Sequence, residues 1–396
     1  MLCEIANPFI RRILQEVGLV TGSMRPYVVG GFVRDTLMGK ESQDLDVVVE
    51  SSGSHNGMTL AQSLADKWQV DVRAHQDFGT ATVSHPEGLK IDFVTARCET
   101  YTQAGVLPTV KFSHITDDLW RRDFSVNAIA ISISSDQFGQ ILDPTNGIAD
   151  LAGKRIRVLH AESFTDDSTR IFRALRYATR FQFQIETETE KLMQSAIDRI
   201  RPLSGTRIRN EIERIFQEAC VVKIMQRLSM LGICQAICPQ WQLPSDFENI
   251  WHNFQSHLEW AGHHLGEDVL NAEVLLWMAL NLPSTSQERL LLSGRLRKKL
   301  TVREELAQRL LYEPLTPAMR PSQIYQFLKP YPIEALVSHL PQPQIEQYLI
   351  RLRQIKPNKT GSDLIADGWT SGPELAQALW KNFARQLDQG ATRKTS

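Results

Sequence analysis

The sequence carries almost no net charge: 44 Lys and Arg stand against 45 Asp and Glu, a formal −1. A chain that handles a polyanion with that balance must gather its basic residues locally, so patches rather than the total decide its partners. Cysteine is sparse, five irregularly spaced residues in 396. Cys234 and Cys238 can share a helix face, but no His or second Cys pair completes a zinc set. Buried thiols in a reducing compartment are the expectation. No apolar run approaches the roughly 18 residues of a membrane span. The first residues, with Glu4 and no long apolar core, do not read as a secretory signal. The protein is therefore expected to be cytoplasmic, with no membrane contact and no protein partner that can be inferred. Internal repeats and low-complexity tracts are lacking as well. No His-Asp dipeptide occurs anywhere, which argues against a metal phosphohydrolase domain despite His263-His264 and Asp268.

What is present is the composition of an ordinary globular protein, 42% hydrophobic and 22% charged. The length suits two or more domains. Residues 8–19 have helical spacing, with Phe9, Ile10, Ile13, Leu14 and Val17 on one side. Strands are expected at 27–29, 45–49, 70–78, 80–85, 89–95, 128–132 and 155–159, with helices at 32–38, 59–68 and around 118–126. After Asp166 nearly everything reads helical: 167–180, 187–199, 206–219, 221–231, 268–281 and beyond. Pro-rich punctuation between Pro314 and Pro343 marks short turns there. The expected fold is an α/β head over 1–160, an all-α neck over 161–220, and a helical body and tail over 221–396.

The segment Tyr27–Glu50, YVVGGFVRDTLMGKESQDLDVVVE, is the most informative. A β-rich run leads into Gly30-Gly31, and a short helical stretch then carries Arg34 and Asp35. Asp44 and Asp46 flank Leu45 at the head of an apolar strand, so both project from one face. Two adjacent carboxylates repel each other unless a divalent cation joins them. Mg²⁺ suits, because it takes one or two carboxylates and completes its shell with water and phosphates. Glycines without a Cβ let backbone N–H groups approach a triphosphate. Together with the cation Arg34, these features spell phosphoryl or nucleotidyl transfer. Asp92, inside the apolar strand pattern 90–94, needs a partner if buried. It is either a third carboxylate beside Asp44 and Asp46 or the ion-pair partner of an arginine such as Arg122.

This pattern resembles the head domain of the polymerase-β-like nucleotidyltransferases, specifically the class II tRNA nucleotidyltransferase and bacterial poly(A) polymerase family. Trp120–Ala130 (WRRDFSVNAIA) resembles that family's Arg-Arg-Asp motif. The resemblance implies that Arg122 meets the nucleotide's ribose or phosphate and that Asp123 contacts the ribose hydroxyls; Asn127 is expected to satisfy backbone at the turn. The polar stretch 97–117 corresponds to a loop that helps the site change from C to A, or is a plain solvent loop. DPTNG, Asp143–Gly147, resembles a linking motif and reads physically as a turn and helix start.

On a helix, Arg170, Arg173, Arg176 and Arg180 of Asp166–Phe181 fall within an arc of roughly 120°. Ile171, Phe172, Ala174, Leu175 and Ala178 lie opposite. Asp167 and Arg170 match the family's base-selecting motif, with Asp166 where Glu is more usual. The carboxylate accepts from the exocyclic amino group of cytosine or adenine, and the guanidinium donates to the neighbouring ring nitrogen. Guanine and uracil present the opposite pattern, leaving polar groups unpaired at about 1–3 kcal/mol each. Arg173 and Arg176 would neutralise phosphates or brace the pair. Thr206–Ile212 resembles a motif that buttresses this helix, or is an ordinary polar flank. The basic run Arg295–Arg303 is a candidate RNA contact or a solvated face, and Gly361–Leu387 resembles a terminal segment of bacterial members.

The resemblance implies a template-independent enzyme that adds C and A, the whole CCA or the terminal A, to tRNA from CTP and ATP. Asp44 and Asp46 would hold two Mg²⁺ ions, and Gly30, Gly31 and Arg34 the phosphates. Poly(A) polymerases usually carry Gly-Arg-Arg-Phe near the third strand, where this chain has Gln76–Thr82. CC-adding members tend to have a shortened loop after the Asp92 strand, and here 97–117 is full length. The wording Asp166–Arg170 leans toward the A-adding subset, and A-adding against CCA-adding stays open. The intact Asp44/Asp46 pair argues against a catalytically silent RNA-binding relative.

Overall fold

From Pro8 the chain alternates helix and strand: Pro8–Leu19 (α1), Arg25–Val29 (β1), Gly30–Leu37 (α2), Leu45–Glu50 (β2), Gly57–Trp68 (α3), Val72–His75 (β3), Thr80–Ser84 (β4) and Lys90–Thr95 (β5). A hairpin, Arg97–Thr100 (β6) with Thr109–Phe112 (β7), and helix Ile115–Trp120 (α4) precede the short strands Ala130–Ser132 (β8) and Ile141–Leu142 (β9). The computed structural model describes residues 7–42, 44–50, 56–75, 79–100, 109–266 and 269–390. They divide into two compact units, Met1–Ala236 and Ile237–Ser396.

Seven strands of the first unit form one mixed sheet in the order β3-β4-β5-β2-β1-β8-β9, with β2 parallel to β5 and antiparallel to β1. Alternation along β2 sorts the layers. Leu45, Val47 and Val49 are buried on one face with Ile13, Leu14 and Val17 of α1 and Leu60 and Leu64 of α3. Val48 is buried on the other face with Tyr27, Val29, Ile115 and Leu119. Each fully buried aliphatic side chain stabilises by about 1.5–3 kcal/mol, so a one-residue slip would expose the whole set. Asp46 shares Val48's parity, and the sheet therefore directs it toward the α4 side.

Beyond the sheet come Gly147–Ala152 (α5), Ser163–Asp166 (α6), Thr169–Phe181 (α7), Thr187–Ser195 (α8), Gly205–Phe216 (α9) and Val221–Met230 (α10). Asp143 caps α5, accepting from the backbone N–H groups of Gly147 at 2.7 Å and Ile148 at 2.9 Å. A Cβ on Gly147 would stand 2.1 Å from the carbonyl oxygen of Ser125, so only glycine permits that approach. α7 buries Ile171, Phe172, Ala174, Leu175 and Ala178 and packs on α9 and α10. Among the described residues, the regular elements of the second unit are all helices. Its longest helices are Phe247–Leu265 and Gly294–Tyr312, and Pro373–Gly390 buries Leu375, Phe383 and Leu387. No described helix is long and apolar enough to cross a membrane.

Three expectations are corrected. The helix expected around 118–126 stops at Trp120: Arg121, Arg122 and Asp123 form a turn, Phe124 is extended and bridges to Val158, and a 3-10 turn follows at Ser125–Asn127. The strand expected at 155–159 is only Arg155–Ile156, paired in parallel with Gln184–Ile185, because only those two residues find a partner strand. The helix expected at 268–281 is Ala272–Ala279. Residues 76–78, residues 101–108 of the stretch 97–117 and Asp268 lie outside the described residues.

Candidate functional site

Asp44 immediately precedes β2, is exposed, and stands beside partly buried Asp46 at the strand's entry. Burial and then the neighbouring charge of Asp44 push the Asp46 carboxyl up to about 6, against the opposing pull of Arg122. Gly30 opens α2 with φ +69°, a conformation that glycine adopts without a steric penalty. A Cβ there would meet Nη1 of Arg122 at 3.1 Å and Oδ2 of Asp46 at 3.7 Å. The missing side chain is thus what lets backbone, guanidinium and carboxylate share one corner.

Arg122 owes its place to Asp118, whose Oδ2 accepts from its Nη2 at 2.9 Å. Oδ1 of the same carboxylate accepts from Nε and Nη2 of Arg121 at 3.0 and 2.6 Å. Asp118 is fully buried. Burial alone would raise its carboxyl, but Arg122 and Arg121 hold it below the ordinary range. The alternative of an Asp92–Arg122 pair is therefore corrected: Asp118 takes the arginine. Asp92 sits on β5 as the register partner of Asp46 and accepts from the Thr82 hydroxyl at 2.5 Å.

A second chain of contacts joins α2 to α7. Nη1 of Arg34 donates to Oδ1 of Asn127 at 2.7 Å, and Nδ2 of Asn127 donates to Oδ1 of Asp123 at 2.9 Å. Asn127 thus links two side chains; the expectation that it satisfies backbone was wrong. Oδ2 of Asp123 accepts from Nε of Arg173 at 2.7 Å. Arg34 also binds its neighbour Asp35 and stacks over the rings of Phe181, 4.5 Å from its centroid, and Tyr177, at 5.4 Å. Such stacking supplements the hydrogen bonds that hold the buried guanidinium.

Asp167 lies between α6 and α7 in extended conformation. Its Oδ1 accepts from the backbone N–H and hydroxyl of Thr169, at 2.9 and 2.6 Å, and from Nη2 of Arg207 on α9 at 2.7 Å. Arg170 is buried and donates through Nη1 to the Ser163 hydroxyl at 2.6 Å and through Nη2 to the carbonyl of Arg121 at 2.9 Å. Arg176 is buried and pairs with Glu218 at 3.3 Å. Glu211, also buried, lies 4.0 Å from Arg176 and pairs with Arg214.

These groups line one open cavity of about 780 Å³. Gly30, Gly31, Arg34, Asp44, Asp46, Arg122, Asp123, Asp167, Arg170, Arg173 and Arg176 all contribute; Asp92 does not. Nine arginines face six carboxylates across it, a local excess of cations in a chain of nearly neutral total. The buried Nε atoms of Arg122 and Arg176 have no hydrogen-bond acceptor among the described residues, which suits an anionic ligand. No described group of three or more His, Cys, Asp or Glu side chains forms a metal cluster. Two carboxylates that repel each other at one rim fit a cation that draws its other ligands from water and phosphate.

Sequence reading missed Asp118, Ser163, Glu211, Glu218 and Tyr177. Asp118 had a signal, its spacing of three and four residues before Arg121 and Arg122. Ser163 had none, because its partner Arg170 meets it only once α6 folds against α7.

The family profile described as "Poly A polymerase head domain" matches residues 26–157, and "Probable RNA and SrmB- binding site of polymerase A" matches 182–243. The chain is 33% identical over 405 residues to an A-adding tRNA nucleotidyltransferase of Geobacter sulfurreducens, covering 96% of this chain and 46% of that protein. It is 32% identical over 392 residues to an A-adding tRNA nucleotidyltransferase of Halalkalibacterium halodurans, covering 95% of this chain and 88% of that one. It thus spans under half of the first relative and most of the second. A solved complex of a CCA-adding enzyme with CTP is similar with a TM-score of 0.80 and 30% identity, over 98% of this chain and 93% of the other. On sequence, on fold and along nearly its whole length, the chain belongs to the family of poly(A) polymerases and tRNA nucleotidyltransferases.

Proposed function

We propose that this protein extends the 3′ end of tRNA without a nucleic-acid template, transferring a nucleotide from a nucleoside triphosphate. One observation carries the reading: Asp44 and Asp46 open into the same cavity as Asp167 and Arg170. A triphosphate at the carboxylates and a base at the Asp-Arg pair can therefore belong to one molecule.

Asp44 and Asp46 would hold Mg²⁺. When bound, the ion supplies Lewis-acid stabilisation of phosphate oxygens and a lowered pKa for the attacking hydroxyl. The chain's residues do the rest. Backbone at Gly30 and Gly31 approaches the phosphates, Arg122 offers its buried Nε to them, and Arg34 adds positive charge from behind. Asp123 and Arg173 form the wall facing the sugar. Asp167 accepts from an exocyclic amino group while Arg170, held by Ser163 and the Arg121 carbonyl, donates to a ring nitrogen. The RNA 3′ hydroxyl gives up its proton to water, its oxygen forms a bond to the α-phosphorus, and the bond to the leaving pyrophosphate breaks. Asp92, the register partner of Asp46 on β5, would be the third carboxylate, its charge adding to the repulsion that a bound cation relieves. Residues 161–220 act as a neck and the helical remainder as body and tail, gripping tRNA by shape and phosphate.

Addition of the terminal A from ATP is the specific activity we favour, supported by similarity to A-adding relatives over nearly the whole of this chain. Synthesis of the whole CCA end from CTP and ATP is the second reading, supported by the similar CCA-adding structure that binds CTP. Three tRNAs decide: one lacking CCA, one ending in CC and one complete, each with Mg²⁺ and single or mixed triphosphates. A on the CC-ending tRNA alone supports the first reading; C and A on the shortest supports the second. Long A tails on unrelated RNA would mean a poly(A) polymerase. Failure to extend any substrate removes the proposal.

A further inference from the structure

We propose that Arg207 is a specificity-determining positioning residue: by fixing one oxygen of Asp167, it aims the other at the nucleotide base. The inference rests on the reading of Asp167 and Arg170 as the base-selecting pair.

A carboxylate has two oxygens and a freely rotating plane, so it makes a poor template unless something sets that plane. Here Thr169 donates to Oδ1 from its backbone N–H and its hydroxyl, both from the next turn of the same chain segment. Two donors on one oxygen, both from one residue, anchor a point and leave rotation about it. Arg207 supplies the third donor, at 2.7 Å, from a different helix 40 residues away. Three donors on Oδ1 leave Oδ2 as the acceptor for a ligand, and the third fixes its direction. The interaction is charge-assisted and partly buried, with Arg207 29% and Asp167 24% exposed. A hydrogen bond of that kind is worth on the order of tenfold or more in an equilibrium.

Arg207 is itself well placed to hold still. Its backbone N–H donates to the Ser204 side chain that caps α9, and α9 buries Ile208, Ile212 and Ile215. The arrangement bears on selection. A fixed acceptor rewards an amino group and repels a carbonyl in the same place, whereas a rotating one can turn away from the carbonyl. Losing Arg207 should therefore cost less against uracil and guanine than against cytosine and adenine.

The test measures kcat/KM of the full-length protein for each of the four nucleoside triphosphates on tRNAs lacking CCA and ending in CC. Wild type is compared with Arg207→Met and Arg207→Gln. The expected result is a fall of about tenfold or more in the preference for the accepted nucleotide over UTP and GTP in Arg207→Met, with a smaller fall in Arg207→Gln. Should Arg207→Met fail to fold, the Arg207→Gln ratio decides by the same criterion. An unchanged ratio, even with slower turnover or a lower melting temperature, would mean that Arg207 only braces the helices, and the proposal is lost. A wild type with no preference among the four nucleotides would instead sink the base-selecting reading, and this inference with it.

Discussion

Asp123 and Arg173, fifty residues apart in sequence, meet with Oδ2 accepting from Nε at 2.7 Å. This pair ties the Arg-Arg-Asp turn to α7. Burial would raise the Asp123 carboxyl, but Arg173 and the Asn127 hydrogen bond hold it below the ordinary range. A depressed carboxylate stabilises the fold above its unfolded pKa, about 3.9, and that contribution disappears as pH falls through the folded value. Asp123→Asn should therefore unfold more easily than wild type at pH 7, by about 3 kcal/mol, the low end for a broken buried pair because Arg173 keeps 30% exposure. Urea titrations at pH 7 and in progressively stronger acid should show the gap closing.

Gly30→Ala places a Cβ 3.1 Å from Arg122 at φ +69°. The left-handed conformation alone costs about 1–2 kcal/mol for a residue with a side chain. Melting temperature should fall modestly while nucleotide transfer drops by more than about tenfold, since Arg122 must move. Equal activity in the variant would contradict the close-approach argument.

Replacing Asp46 by Asn removes one of two repelling carboxylates. In metal-free buffer the variant should be as stable as wild type or more so. With Mg²⁺ present, turnover should fall on the order of 10³-fold, and calorimetric Mg²⁺ binding should weaken. Intact turnover in Asp46→Asn would exclude the carboxylate pair as the metal site.

Asn127→Leu leaves Nη1 of Arg34 without its acceptor, whereas Oδ1 of Asp123 loses one donor and keeps the backbone N–H of Phe124. Each buried polar group left unpaired costs about 1–3 kcal/mol. Chemical denaturation should register that loss, and Arg34→Met in the same background should cost less than it does alone, because the two residues act through one network.

Affinity for tRNA should fall steeply with salt, as phosphate contacts release counterions. Fluorescence titrations between 50 and 200 mM salt (about 10³-fold for some six contacts) check it. A flat salt response would show that arginines do not carry the binding.

Much of the site was legible because its chemistry is local. Gly30-Gly31 after a strand, Asp44 and Asp46 two residues apart, and Asp167 with Arg170 one turn apart declare themselves by spacing. The amphipathic pattern of α7 likewise put its arginines on one side before any fold was known. Partners at long range were invisible. Asn127 was expected to serve the backbone, and nothing within four residues of it names Arg34. Asp92 was offered Arg122, whose carboxylate partner proved to be Asp118. The helix expected around 118–126 stopped at Trp120, and Phe124 turns extended to bridge Val158, a partner 34 residues away that local spacing does not announce.

Residue order alone determined the layering: alternation in β2 put Leu45, Val47 and Val49 on one face and Asp46 on the other, since a strand's side chains have a period of two. It also set which helix carries the arginine stripe. Only tertiary structure decided which distant opposite charges satisfy one another at the cavity: Asp123 with Arg173 and Asp167 with Arg207. Hydrogen bonds act over about 3 Å, and contacts 40 or 50 residues apart in sequence reach that range only after sheet and helices have packed.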